Sequence, residues 1–284
     1  KFSSSLYLYV IIYYRFYRCF YCGYFLLTRF LISMEKNTSQ TKGKAILEIK
    51  DLHKGFGDVK VLNGFNLVLY EGENLVLMGK SGSGKSVMIK CMVGLMEPDS
   101  GNIKMLGKDI SKLNQQEMDE LRAEIGFLFQ GSALYDSMTV RENLEFPLRR
   151  HTDKFDLKNT DELVMEALRN VGLEHTVDLM PEELSGGMQR RIALARALIL
   201  QPKIIFYDEP TSGLDPITSK EIIELMKTIQ EKYNTSSLII THDVDCARVI
   251  SNRMILLLDG INYVEGTFQE LSNSEDPKTK AFFK

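Results

Sequence analysis

The sequence is poor in the features of a secreted, membrane-spanning or nucleic-acid-binding chain. Its 284 residues include only four cysteines, scattered at 19, 22, 91 and 246. Such spacing gives no disulfide framework and fits a reducing compartment better. Cys19 and Cys22 form a lone C-x-x-C with no second pair and no βαβ context, so no metal or redox role is assigned to them. The longest uncharged apolar stretches near the start, 6–14 and 19–28, reach about half of the ~20 residues that a spanning helix needs. The formal net charge is only −3, which leaves no broad basic surface for a nucleic acid partner. No internal repeat is visible.

What is present divides into an unusual start and a regular remainder. The first 33 residues hold seven of the twelve tyrosines, four basic residues and no acid. A signal peptide would have a cleaner apolar core and a small-residue cleavage site. Met34 and the polar run at 35–40 follow. We expect residues 1–33 to be an in-frame upstream extension, non-native or disordered, ahead of a start at Met34. An interfacial aromatic anchor is the other reading. A flexible start is expected over 34–45 and one α/β domain over 46–284, which is long enough for a sizeable core.

Along that domain, 46–50 alternates as a strand does. Residues 55–58 read as a turn, and 61–62 and 65–70 as a second and third strand. The continuous apolar run at 75–78 suits a strand buried on both faces. A helix is expected over 85–95, a strand over 102–106, a helix over 116–124 and a strand over 125–129. Residues 131–184 read as an inserted helical subdomain, with apolar positions 163, 164, 167, 168 and 171 at helical spacing. Then come a helix at 190–200, a strand at 204–208, a helix at 219–231, a strand at 237–241, and strands at 255–258 and 263–265.

The chemistry concentrates in a few segments. Gly79, Lys80, Ser81, Gly82, Ser83, Gly84, Lys85 and Ser86 match G-x-x-x-x-G-K-[ST] between a buried strand and a helix. The glycines let backbone N–H groups face phosphate oxygens, and the helix adds its positive end. Lys85 is expected between the β- and γ-phosphates, and Ser86 on Mg²⁺. Asp208 ends a buried strand beside this loop, where its carboxylate can hold Mg²⁺ through water. Glu209 follows and can act as general base toward the attacking water.

Between loop and acids lies Leu184-Ser185-Gly186-Gly187-Met188-Gln189, and after them Pro210-Thr211-Ser212-Gly213-Leu214-Asp215. In this order and spacing, over roughly 46–283, the chain resembles the ABC-transporter ATPases. The resemblance implies a P-loop fold with a mixed sheet core, an antiparallel β-subdomain and an inserted helical subdomain. It implies ATP hydrolysis with ATP and Mg²⁺, in a homodimer where each nucleotide lies between one P-loop and the partner's Ser185–Gly187 segment. It further implies that Gln130 contacts Mg²⁺ or water, that His242 reaches the γ-phosphate, and that Phe56 stacks on adenine. Nucleotide contact extends by the same resemblance to Val87, Gly186 and Gln189. By local geometry alone, Ser185 also reads as a helix cap and Phe56 also as a core residue.

The stretch 126–148, with Lys80, is similar to the ATPase subunit of the bacterial Mla/MCE phospholipid transport system. That resemblance implies permease subunits, an MCE-domain lipid-binding protein, a small regulatory subunit, and a peripheral place on the cytoplasmic face of an inner membrane. An ATPase for another solute is the alternative. A soluble non-transport ABC protein would normally carry two cassettes or a long coiled-coil insertion.

Overall fold

The computed structural model describes residues 43–80, 82–151 and 159–283. The expectations for 1–33 and 34–42, with Cys19 and Cys22, lie outside the described residues, as does Ser81. From Lys44 onward the chain forms one compact unit.

The chain runs through β1 (Ala45–Phe56), β2 (Val59–Tyr70), β3 (Asn74–Gly79), α1 (Lys85–Met92), β4 (Ser100–Met105) and β5 (Lys108–Asp109). It continues with α2 (Gln115–Ala123), β6 (Ile125–Leu128), α3 (Val140–Arg150), α4 (Thr160–Val171), α5 (Gly186–Leu198) and β7 (Ile204–Asp208). The last part holds α6 (Pro216–Tyr233), β8 (Ser236–Ile240), α7 (Val244–Ile250), β9 (Arg253–Leu258), β10 (Ile261–Gly266), α8 (Phe268–Ser272) and α9 (Pro277–Lys280). No described helix is long and apolar enough to cross a membrane.

Two sheets organise these elements. The first has order β2-β1-β4-β5 and is antiparallel throughout. The second has order β10-β9-β3-β8-β7-β6. Its strands β9, β3, β8, β7 and β6 are parallel, and β10 closes the edge antiparallel to β9. A parallel core with crossover helices on both faces forces its strands to be apolar on both sides. Accordingly β3 is buried at every position.

Strand alternation separates two cores. Leu75, Leu77, Phe206, Leu238 and Ile255 face α1, α2 and the antiparallel sheet, joining Leu47, Ile49, Phe65 and Met88. Val76, Met78, Tyr207, Ile239 and Leu256 face the other way, onto α5, α6 and α7. A third cluster belongs to the helical insertion: Val140, Leu144 and Leu148 of α3, Val164, Leu168 and Val171 of α4, and Ile192, Ala195 and Ile199 from or just beyond α5.

Side chains also tie the sheets: Asn262 of β10 donates to the carbonyl of Asn66 in β2 at 3.3 Å. Arg253 of β9 donates to both carboxylate oxygens of Glu73, at 2.7 and 2.8 Å, and to the carbonyl of Val68 in β2 at 2.5 Å. It also pairs with Glu265 of β10.

Several sequence expectations need correction. Residues 61–62 and 65–70 are one strand, because Asn63 and Gly64 form an irregularity inside β2. The register steps from Leu52↔Phe65 to His53↔Asn63, leaving Gly64 unpaired, and Gly64 has φ +84°. A glycine with positive φ permits such a bulge without ending the strand. The expected turn at 55–58 narrows to Gly57 and Asp58, since β1 extends to Phe56. Helix α1 stops at Met92, short of 95. Three short C-terminal helices, α7, α8 and α9, had no expectation. Each starts at a side-chain cap, Asp243, Thr267 and Asp276 respectively.

Candidate active site

The loop after β3 is shaped by close backbone approach. A Cβ on Gly79 would stand 2.6 Å from Ser83 Oγ and 3.0 Å from the carbonyl of Leu257. Gly84 caps α1 with φ 101° and no side-chain cap bond, so the first N–H groups of α1 remain directed at the loop. Lys85 Nζ donates to the carbonyls of Gly79 (2.7 Å) and Lys80 (3.0 Å). Its ammonium therefore lies inside the loop's curve. Burial pulls the Lys85 pKa down, against the opposing pull of Glu209 and then Asp208. Ser83 Oγ is buried with no hydrogen-bond partner, a polar atom that an incoming phosphate oxygen would satisfy. Lys80 is exposed. The side chain of Val87 packs against the first core, which leaves its backbone for the ligand.

Asp208 and Glu209 stand at the carboxyl end of β7, two strands from the loop in the same sheet. Burial raises the Asp208 pKa, Glu209 adds to the rise, and Lys85 opposes it. Acids and lysine thus share one electrostatic environment. Glu209 is 8% exposed and has φ 50°, a left-handed conformation uncommon for any residue with a Cβ and held here by its surroundings. Its N–H donates to the Ile240 carbonyl of neighbouring β8 at 2.8 Å. Its Oε2 lies 2.8 Å from His242 Nδ1 and accepts a longer bond from the His242 N–H at 3.4 Å. Glu209 and His242 are therefore brought together, while the imidazole stays 70% exposed. Just behind, Thr211 donates to Asp243 at 2.9 Å, and Asp243 caps α7. That pair locks the loops after β7 and β8 to each other.

Ser86 and Asp208 line the same cleft of about 380 Å³, together with Ile89, Val93, Phe127 and Phe129. Gln130 sits at its edge in sequence and donates to Ser212 Oγ at 3.3 Å, which ties it to the loop beyond Glu209. Among the described residues no group of three or more His, Cys, Asp or Glu could hold a metal alone. A serine and one carboxylate suit Mg²⁺ delivered with a triphosphate, because Mg²⁺ keeps waters and phosphate oxygens as its main ligands. The residues present fit that ion.

Ser185 caps α5 by accepting from the Met188 N–H at 3.3 Å, so the helix begins at the glycine pair. Ser185 and Gly186 are exposed. The Gln189 side chain turns back into its own protomer, donating to the carbonyls of Pro181 (2.8 Å) and Leu184 (3.4 Å). That placement makes it a support for the segment before the glycines. Phe56 ends β1 and is 49% exposed, which removes the core reading. Lys54 Nζ lies 5.8 Å from its ring centroid.

Two arginines of α5 were missed in the sequence. Arg190, 4% exposed, donates to the carbonyls of Phe129 (2.7 Å) and Ser212 (3.1 Å). Arg196 donates to the carbonyls of Ser132 (3.3 Å) and Ala133 (2.8 Å) and to Asn143 Oδ1 (3.3 Å). A charge on the inward stripe of an amphipathic helix is the signal that could have flagged them.

A family model described as ABC transporter matches residues 62–212. The chain belongs to the ABC transporter family. The methionine import ATP-binding protein MetN of Clostridium tetani is 41% identical over 76% of this chain and 67% of its own length. The intermembrane phospholipid transport system ATP-binding protein MlaF of Haemophilus influenzae is 37% identical over 84% of this chain and 90% of its own length. Among solved structures, the dimeric post-hydrolysis state of the ATP-binding cassette MJ0796 bound to ADP and Pi superposes with a TM-score of 0.71 at 33% identity, covering 78% of this chain and 99% of that one. This ABC transporter chain is an ATP-binding subunit that hydrolyses ATP with Mg²⁺, and its two sheets and helical insertion are the ABC ATPase fold.

Proposed function

We propose that this ATPase powers phospholipid transport between inner and outer membranes in an Mla/MCE-type system. It would act as a homodimer on the cytoplasmic face of the inner membrane, bound to permease subunits, with an MCE-domain lipid-binding protein and a small regulatory subunit. The observation that carries this reading is the match to the Haemophilus MlaF, which extends over 90% of that protein. A relative of similar length leaves little of either chain unaccounted for. The competing reading is an ATPase for another solute, supported by the match to the methionine importer.

The residues suit in-line attack of water on the γ-phosphate, where catalysis consists of positioning and charge stabilisation. Ser86 and Asp208 would hold Mg²⁺, which would supply charge neutralisation at the β- and γ-phosphates. Lys85 exchanges its two loop carbonyls for β- and γ-phosphate oxygens. Glu209 accepts the proton of the attacking water, oriented by His242, whose exposed ring is free to reach the γ-phosphate. Ser185 and Gly186 complete the site of the partner protomer. A groove near Gln130, between the sheet domain and the helical insertion, receives a coupling helix of the permease.

Purification of the complex from membranes, with mass spectrometry of partners and bound lipid, tests the cargo. An MCE-domain protein and glycerophospholipid are expected. A periplasmic amino-acid receptor in their place would overturn the lipid reading and leave the ATPase reading intact.

A further inference from the structure

The two glycines that open α5 have different surroundings within the protomer. Gly186 is exposed, and a Cβ there would meet nothing nearer than Leu214 Cδ2 at 3.9 Å. Gly187 turns inward. A Cβ there would stand 2.6 Å from Cγ2 of Thr218, in the first turn of α6. So close an approach forces something to move.

Thr218 is poorly able to move. It is β-branched, so few χ1 rotamers are open to it in a helix. Its hydroxyl donates to Asp215 Oδ2 at 2.5 Å and its N–H to Oδ1 at 3.1 Å. Asp215 also accepts from the Ile217 N–H at 3.0 Å and is the cap of α6. Rotating the methyl away would break the hydroxyl bond and loosen the cap. A second link, Arg191 to Glu221 at 2.6 Å, holds the same two helices together further along.

We infer that Thr218 is a positioning residue: its methyl seats on Gly187 and fixes the start of α5 to the loop ending at Asp215. The glycine pair then divides its duty. Gly186 is small for what approaches from outside, and Gly187 is small for its own Thr218. Ser185, one residue before the pair, is held by this seat in the position from which it serves the partner's nucleotide. The inference rests on the partner-facing reading of Ser185 given above.

The test is a suppressor experiment on the full chain, reading ATP turnover, melting temperature and the affinity of the isolated protomer for a fluorescent ATP analogue. G187A should lower kcat about tenfold or more and reduce the melting temperature, because overpacking shifts the backbone. Affinity at the protomer's own loop should stay within about twofold, since that loop lies elsewhere. T218S keeps the hydroxyl and its bond to Asp215 while removing the seated methyl, so alone it should loosen the start of α5 and lower kcat about threefold, with affinity at the protomer's own loop kept within about twofold; unchanged turnover in T218S would overturn the inference. The double variant G187A/T218S, which moves the methyl from one residue to the other, should turn over at least as fast as T218S. G186A should leave the melting temperature unchanged and still lose turnover.

If the double variant is as slow as G187A, the second glycine is needed by the nucleotide, and Thr218 has no such role. If G187A turns over at the parental rate, the seat does not exist. Should G187A fail to fold, folding restored in the double variant supports the inference, and a double variant that also fails overturns it. Full turnover in G186A would instead count against the partner-facing reading.

Discussion

Glu209 concentrates the chemistry of the site at the scale of one residue. It is nearly buried, its backbone is held at φ 50° by the bond from its N–H to Ile240, and its carboxylate rests against His242. E209Q keeps the shape and removes the base. We expect turnover to fall about 10²–10⁴-fold, the usual worth of general base catalysis, while ATP binding persists and a nucleotide-bound dimer accumulates in size-exclusion chromatography. Unchanged turnover would overturn the assignment. Lys85, Asp208 and Glu209 stood out in the sequence because each sits at a short offset from the end of a recognisable apolar strand, whereas His242 was expected from the family resemblance alone. The side-chain settings of Val87 and Gln189 were not legible. A motif fixes which residue occupies a position, but whether side chain or backbone faces the ligand depends on packing from distant elements.

At the scale of elements, α5 carries more than the signature at its start. Arg190 and Arg196 reach from its buried side to the backbone after β6, at Phe129, Ser132 and Ala133. Ser132 and Ala133 themselves have positive φ, 61° and 50°, a strained pair that external bonds must hold. R196A removes the donor from two carbonyls and from Asn143, so a loss of about 1–3 kcal/mol is expected, measured as a lower midpoint in denaturant. R196K should recover only part of it, because an ammonium cannot reproduce the guanidinium fork. An equally stable R196A would show that water replaces these bonds. Strands were legible wherever apolar runs or alternation were long. The bulge at Gly64 was not, since one glycine in an alternating run reads equally as a turn. Helix α7 was too short, at seven residues, to display a periodic face.

At the scale of the whole molecule, sheet order brings the site together. Strand β3 lies between β8 and β9, and β7 between β8 and β6, so loops from distant parts of the chain converge at adjacent carboxyl ends. Local periodicity carries no information about that order; the motifs implied only that Asp208 lies beside the phosphate loop. In the proposed two-copy site, Ser185 and Lys85 of one protomer each take their counterpart from a second copy. The initial rate of hydrolysis should therefore rise faster than linearly with enzyme concentration below the dimer dissociation constant. Strict proportionality down to nanomolar enzyme would contradict the two-copy site. The Arg253 tie between the sheets has a mechanical corollary. The platform under the base and the cradle under the phosphates are riveted into one block by that guanidinium and by a shared core, whereas the helices of the insertion have a core largely of their own. Were cleavage to displace part of the molecule, the insertion is the part free to swing, with the block as fulcrum and the helices as lever arm.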